Sequence, residues 1–131
     1  MTATETSRPP SISVVIPVYN EARIIARCLT ALLLQTDLPD EIIVVDNAST
    51  DDTALIASRF ARVRVIREER QGITYARQAG FDAARCDVIA RIDADTLVRS
   101  DWIEQIRADF CSSLVDAQGG GAAIAELSPG E

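Results

Sequence analysis

A chain of 131 residues and 14.2 kDa has room for one hydrophobic core, which removes roughly two-thirds of its unfolded surface from water. Its net charge of −7 argues against a nucleic-acid or anionic-membrane surface, since affinity for those partners comes mainly from clustered positive charge. Histidine and lysine are both absent, which excludes Ser-His-Asp and Cys-His catalysis, histidine-containing zinc sites, a P-loop and Schiff-base chemistry from this chain's own residues.

Residues 1–11, rich in Thr, Ser and Pro, predict a disordered tail. Ile12 to Ile16 predicts a central strand stopped by Pro17. From Glu21 to about Gln35, Ile25, Cys28, Leu29, Leu32 and Leu33 recur at helical spacing on one face. Ile42 to Val45 is a run of four β-branched residues, the pattern of a strand covered on both faces, with Asp46 at its end. Ser49, Thr50 and Asp51 offer N-caps for a helix running to about Phe60. Arg62 to Ile66 alternates Arg and Val, which predicts an edge strand. Gly72 introduces a helix over 73–84, and Val88 to Ile92 predicts a fourth strand running into Asp93. Ser100 can cap a last helix whose apolar stripe is Trp102, Ile103, Ile106, Phe110 and Leu114. The order β-α-β-α-β-α-β-α predicts a three-layer α/β/α sandwich around a mostly parallel sheet. The domain is expected over 12–115, and 116–131 is read as an irregular segment that ends as if another strand were about to begin.

Cys28, Cys86 and Cys111 are widely spaced and form no CxxC, so neither a disulfide framework nor a metal knuckle is indicated. Cys28 and Cys111 fall within helical apolar patterns and read as small buried hydrophobes. No apolar run approaches the length of about 20 residues that spans a bilayer, and the first residues are polar. The chain reads as cytoplasmic, with the inner face of a membrane as the other placement.

Ligands of open parallel sheets collect outside the carboxyl ends of the strands, where strand order reverses. Four candidate polar clusters each follow a strand: Tyr19, Asn20 and Glu21 the first, Asp46 the second, residues 67–72 the third, Asp93 and Asp95 the fourth. If extended geometry persists through Asp93-Ala94-Asp95, the two carboxylates point to one side with backbones about 6 to 7 Å apart. Two like charges at that distance cost roughly 3 kcal/mol at an effective dielectric of 20. A hard cation such as Mg or Mn would remove that cost and could share its oxygen ligands with a phosphate. The simpler role is to cap a turn and pair with Arg91 or Arg99. Asp46 can accept hydrogen bonds from a base or ribose, or form an Asx turn with Ser49 or Thr50. Tyr19 can stack on a base or pack on the first helix. Gly72 either lets the backbone approach a ligand or starts a helix. Arg77 can face an anionic ligand or solvent.

These segments resemble the family-two inverting glycosyltransferases, which have the GT-A nucleotide-diphospho-sugar transferase fold with its Rossmann-like N-terminal half. Val14-Val15-Ile16-Pro17-Val18-Tyr19-Asn20-Glu21 resembles their opening strand and loop, and Val44-Val45-Asp46-Asn47-Ala48-Ser49-Thr50-Asp51 their second. Gly72 with Ala76-Arg77-Gln78-Ala79-Gly80 is similar to a helix motif that often carries Asn where this chain has Gln78, and Ile92-Asp93-Ala94-Asp95-Thr96 resembles the DxD metal motif. The match covers about residues 12–110, in order. It implies that Pro17, Tyr19 and Glu21 line a nucleotide pocket, that Asp46 contacts the base, and that Gly72 and Arg77 assist nucleotide binding. Asp93 would lie near the ribose and diphosphate and, with Asp95, at the divalent metal, Mn or Mg, that bridges the diphosphate. The implied donor is a nucleotide-diphospho-sugar, and the implied acceptor a sugar, lipid carrier or polysaccharide. The general base of such an enzyme is expected beyond Glu131, so the chain reads as a truncated donor-binding half.

One rival reading fits the same residues and three others fit fewer. A catalytically inactive nucleotide-binding remnant would share every one of these residues. A haloacid-dehalogenase-type phosphatase wants its threonine two residues after the second aspartate, whereas Thr96 follows Asp95 directly, and its lysine is missing. A phosphate-accepting receiver domain also lacks its lysine. A metal-dependent adhesion module wants Asp-x-Ser-x-Ser, and Asp46-Asn47-Ala48-Ser49-Thr50 misses that spacing.

Overall fold

The structure, a computed structural model, describes residues 9–116 and 123–126, with side chains described for residues 9–111. The elements alternate as β1 Ile12–Val18, α1 Ile25–Leu33, β2 Glu41–Asp46, α2 Thr53–Ser58, β3 Val63–Arg67, α3 Ile73–Ala83, β4 Val88–Arg91, α4 Trp102–Asp116 and β5 Ala123–Glu126. The five strands form one sheet in the order β3-β2-β1-β4-β5, and every neighbouring pair is parallel. Parallel strands need a crossover between them, and covering both faces explains why Ile42–Val45 is unbroken hydrophobe: Ile42 and Val44 point into one core, Ile43 and Val45 into the other. The larger core joins Val14, Ile16, Val44 and Val88 to α1, α2 and α4 through Ile25, Leu29, Ala57 and Ile103. The smaller joins Val15, Val45 and Ile89 to α3 through Ala76. Gly80 of α3 lies so close to the sheet that a Cβ there would be 2.3 Å from Val15 Cγ1.

β1 runs through Pro17 to Val18 instead of stopping at Ile16. Hydrogen-bonding direction alternates along a strand, so Val15 accepts from Ile92 on the β4 side and Val18 accepts from Asn47 on the β2 side. Pro17 therefore turns its missing N–H toward β4, whose ladder has already ended. Helix α1 starts four residues later than its apolar pattern suggests, because the Glu21 carbonyl accepts from both Ile24 and Ile25 and closes a separate turn first. Helix α2 ends at Ser58, short of Phe60, and β3 is shifted by one residue to Val63–Arg67 after Arg62, whose φ of 74° breaks the extended run. β3 occupies an edge, as its Arg/Val alternation suggests.

The segment beyond Val115 is not wholly irregular, since it completes α4 and supplies β5, which pairs with β4. The remainder of that segment, and residues 1–8 of the expected tail, lie outside the described residues, as does the Leu114 side chain. Among the described residues no helix is long and apolar enough to cross a membrane.

Two polar side chains fasten α4. Buried Gln35 donates to the carbonyls of Ala31 at 3.2 Å and Arg99 at 2.6 Å, and accepts from the Ile103 amide at 3.0 Å. At the amino-terminal edge of the sheet, Arg107 binds both carboxylate oxygens of Asp37, one of Asp40, and the carbonyls of Pro10 and Leu38. This side chain is only 16% exposed, and its loss would break five hydrogen bonds at once. Arg107→Ala is expected to lower unfolding stability by about 2–3 kcal/mol, measured by urea denaturation. An unchanged midpoint would show that the network adds nothing net.

Candidate functional site

Strand order reverses between β1, whose next strand lies on one side, and β4, reached by crossing back over both. A cleft of 420 Å³ opens at the carboxyl ends there, lined by Pro17, Val18, Tyr19, Glu21, Asn47, Gln71, Gly72, Ile73, Ala76, Asp93 and Asp95. Tyr19 is 49% exposed, so its ring presents a free face. Below it the loops after β1 and β2 are laced together. Asn20, at φ 52°, accepts from the Thr50 amide at 2.8 Å through Oδ1, and its own amide donates to Ser49 Oγ at 2.8 Å. The Glu21 amide donates to Thr53 Oγ1 at 2.8 Å. Asp51 accepts from the Thr53 hydroxyl, the Thr53 amide at 3.0 Å and the Ala22 amide at 3.3 Å. Those bonds, the Thr53 hydroxyl foremost, hold the Asp51 carboxyl below its usual range. The Ser49-Thr50-Asp51 run thus serves the neighbouring loop as much as α2.

Extended geometry does not persist through Asp93-Ala94-Asp95. β4 ends at Arg91, and the Asp93 carbonyl accepts from the Thr96 amide at 3.0 Å, folding the segment into a turn around buried Ala94. Both carboxylates nevertheless face the cleft. They are not equivalent: Asp93 lies 3.4 Å from Arg91, while Asp95 has no ion-pair partner among the described residues, and Arg99 pairs with Asp101 at 2.9 Å. No three acidic or cysteine side chains gather into an ion-enclosing group among the described residues. A cation held here would complete its shell with water and ligand oxygens. That is how a magnesium-type ion is usually bound, and the all-oxygen donors suit such a hard ion.

Negative charge in the cleft is incompletely compensated, and Glu21 reports it. Burial, then the charges of Asp95, Asp93 and Asp51, push its carboxyl above the usual range. A group whose folded pKa is raised contributes stability that is fully present below the unfolded value and is lost as pH rises through the folded value. The ligand-free wild type should therefore lose stability relative to Glu21→Gln as pH rises from below 4 to 7. Thermal melts of both proteins across that range check the sign, and a wild type that gains relative to the variant would contradict it. Nearby Cys28 is pushed up to about 12, chiefly by burial and then by Asp95, Asp93 and Glu21, so its thiol is inert. All three cysteines are free, with Cys86 and Cys111 only partly buried.

Asp46 and Arg77 do not line the cleft. Asp46 is 1% exposed, and its Oδ2 is 2.9 Å from Arg67, which the β2–β3 register sets directly opposite. Among the described residues its buried Oδ1 has no hydrogen-bond partner, and neither has Arg77 Nε. From α3 it is Ile73 and Ala76 that reach the cleft. Sequence reasoning passed over Asn47, whose only sign was its place immediately after a buried strand and Asp46. It also passed over Val18, Gln71, Ile73 and Ala76.

A parallel sheet with an acid-lined cleft at its reversal, entered by an Asp-x-Asp turn, defines a Rossmann-like domain of the GT-A class. Residues 13–123 match the model of glycosyl transferase family 2, and the chain belongs to that family. It is 37% identical over 122 residues to the glycosyltransferase AglE of Haloferax volcanii, covering 88% of this chain and 40% of that protein. Among solved structures it is similar to the mannosyltransferase PcManGT of Pyrobaculum calidifontis in complex with GDP-Man and Mn2+, at 31% identity and a TM-score of 0.64, covering 70% of this chain and 29% of that one. It is also similar to residues 1–349 of S. aureus TarS in complex with UDP, at 25% identity and a TM-score of 0.72, covering 78% and 32%. The chain thus spans less than half the length of these relatives.

Proposed function

We propose that this chain is the donor-binding part of an inverting glycosyltransferase, taking up a nucleotide-diphospho-sugar together with a divalent metal. One observation carries the reading: Tyr19, Glu21, Gly72, Asp93 and Asp95, from three separate loops, line one cleft at the strand-order reversal. The reading assigns the exposed Tyr19 ring to stacking on the base, with Pro17 and Gly72 as walls that let the nucleotide approach backbone. It assigns the carboxylate of Asp95, without an ion-pair partner among the described residues, to the metal, and Asp93, beside Arg91, to the ribose and the metal. The metal, Mn or Mg, would supply positive charge for the departing diphosphate. Asp46 and Arg77, which do not line the cleft, enter as supports of the base and phosphate ends.

Solved relatives bound to GDP-Man with Mn2+ and to UDP support the donor class and the metal. The base, the sugar and the acceptor, whether sugar, lipid carrier or polysaccharide, belong to the whole protein. A cytoplasmic site of action, in solution or at the inner face of a membrane, completes the proposal. The experiment is a thermal melt of the chain with UDP or GDP in the presence of MnCl2. A rise that EDTA abolishes is expected. No rise with any nucleoside diphosphate under metal overturns the reading.

A further inference from the structure

We propose that Asn47 is a positioning residue that holds the segment from Glu68 to Gly72 as a preformed wall of the cleft. The inference rests on the donor-binding reading of that cleft. Asn47 follows β2 directly, is 6% exposed and lines the cleft beside Gln71 and Gly72. Its Nδ2 donates to the carbonyls of Glu68 at 2.9 Å and Arg70 at 2.8 Å, and its Oδ1 accepts from the Gly72 amide at 2.9 Å. The three partners fix the orientation of the side-chain amide, because an N–H only donates and a carbonyl only accepts.

Among the described residues, the hydrogen bonds and ion pairs of β2 itself to this stretch reach only its first residues. The Glu68 amide donates to the Asp46 carbonyl at 2.9 Å, and Arg67 pairs with Asp46, but both contacts precede Glu69. Arg70 turns its charge away, pairing with Glu68 at 3.0 Å and lying 4.7 Å over the Tyr75 ring. Gly72, at φ 140°, has no side chain to brace it in a conformation other residues rarely adopt. The Gly72 carbonyl also accepts from the Ala76 amide at 3.1 Å, which ties it to α3, so Asn47 is the link that joins Gln71 and Gly72 to the end of β2 at the cleft. A wall ordered before the nucleotide arrives relieves binding of the entropy of ordering it.

The test compares the wild-type chain with Asn47→Ala, titrating UDP and GDP with MnCl2 by calorimetry and following amide hydrogen exchange at Gln71 and Gly72 without nucleotide. Expected in the variant are at least tenfold weaker binding and at least tenfold faster exchange at Gly72. Ile106→Ala, in the core on the other face of the sheet, serves as a control for lost stability and should keep wild-type affinity. Wild-type exchange at Gly72 in Asn47→Ala, unchanged affinity, or an equal affinity loss in Ile106→Ala would each overturn the positioning role. Failure of the wild type to bind either nucleotide would instead sink the donor-binding reading, with the exchange comparison still judging the clamp. Should Asn47→Ala not fold, Asn47→Ser, too short to reach all three partners, carries the same comparison.

Discussion

Asp95→Asn is expected to remove most of the metal-dependent stabilisation that UDP or GDP gives the wild-type chain. A ligand present at a hundred times its Kd stabilises the folded state by about 2.7 kcal/mol, which for a domain of this size raises Tm by roughly 8–12 °C. Every tenfold loss of affinity takes back about 1.4 kcal/mol of that. Asparagine keeps the shape of Asp95 and one oxygen but removes the charge, and this carboxylate is the one without a cationic partner among the described residues. The ligand-free variant should be at least as stable as the wild type, because a charge that raises the Glu21 pKa has gone. Melts with and without nucleotide and MnCl2 separate the two effects. Equal nucleotide shifts in both proteins would remove Asp95 from the metal's ligands.

Gly80→Ala should have the largest effect on stability. Its new methyl would meet Val15 Cγ1 at 2.3 Å and Val45 Cγ2 at 3.1 Å. Both valines are fully buried in central strands and, being β-branched, have few rotamers to escape into. α3 must then lift from the sheet, at about 2–3 kcal/mol or more, and Tm should fall by roughly 10 °C. The same lift displaces Ile73 and Ala76, which line the cleft, so nucleotide affinity should fall with it. A Gly80→Ala protein that melts with the wild type would mean that the close approach of α3 is not needed.

Periodicity and punctuation made the fold legible. β1 and β2 are runs rich in β-branched residues, β3 alternates Val with Arg, and α1 carries an apolar stripe that packs into the core. What stayed hidden depends on partners distant in the chain. Arg67 is remote from Asp46 in sequence and meets it only through the register of two parallel strands. Asn47 looks like any polar residue after a strand until its amide is seen to reach three backbone groups of another loop. The turn at Asp93 was concealed because an Asp-x-Asp following a strand has the same residues whether the chain continues extended or folds back to Thr96. Pro17 looks like a strand stop in the sequence because its effect on one neighbour depends on where that neighbour ends.

Pro17 also determines how the cleft can change shape. Two parallel strands that part company can ordinarily zip further together when thermal motion brings them close, since each added rung needs only a free donor and a free acceptor. On the β4 side of β1 the next donor does not exist. The covalent chain itself therefore withholds the rung that would begin to close the fork between the strands.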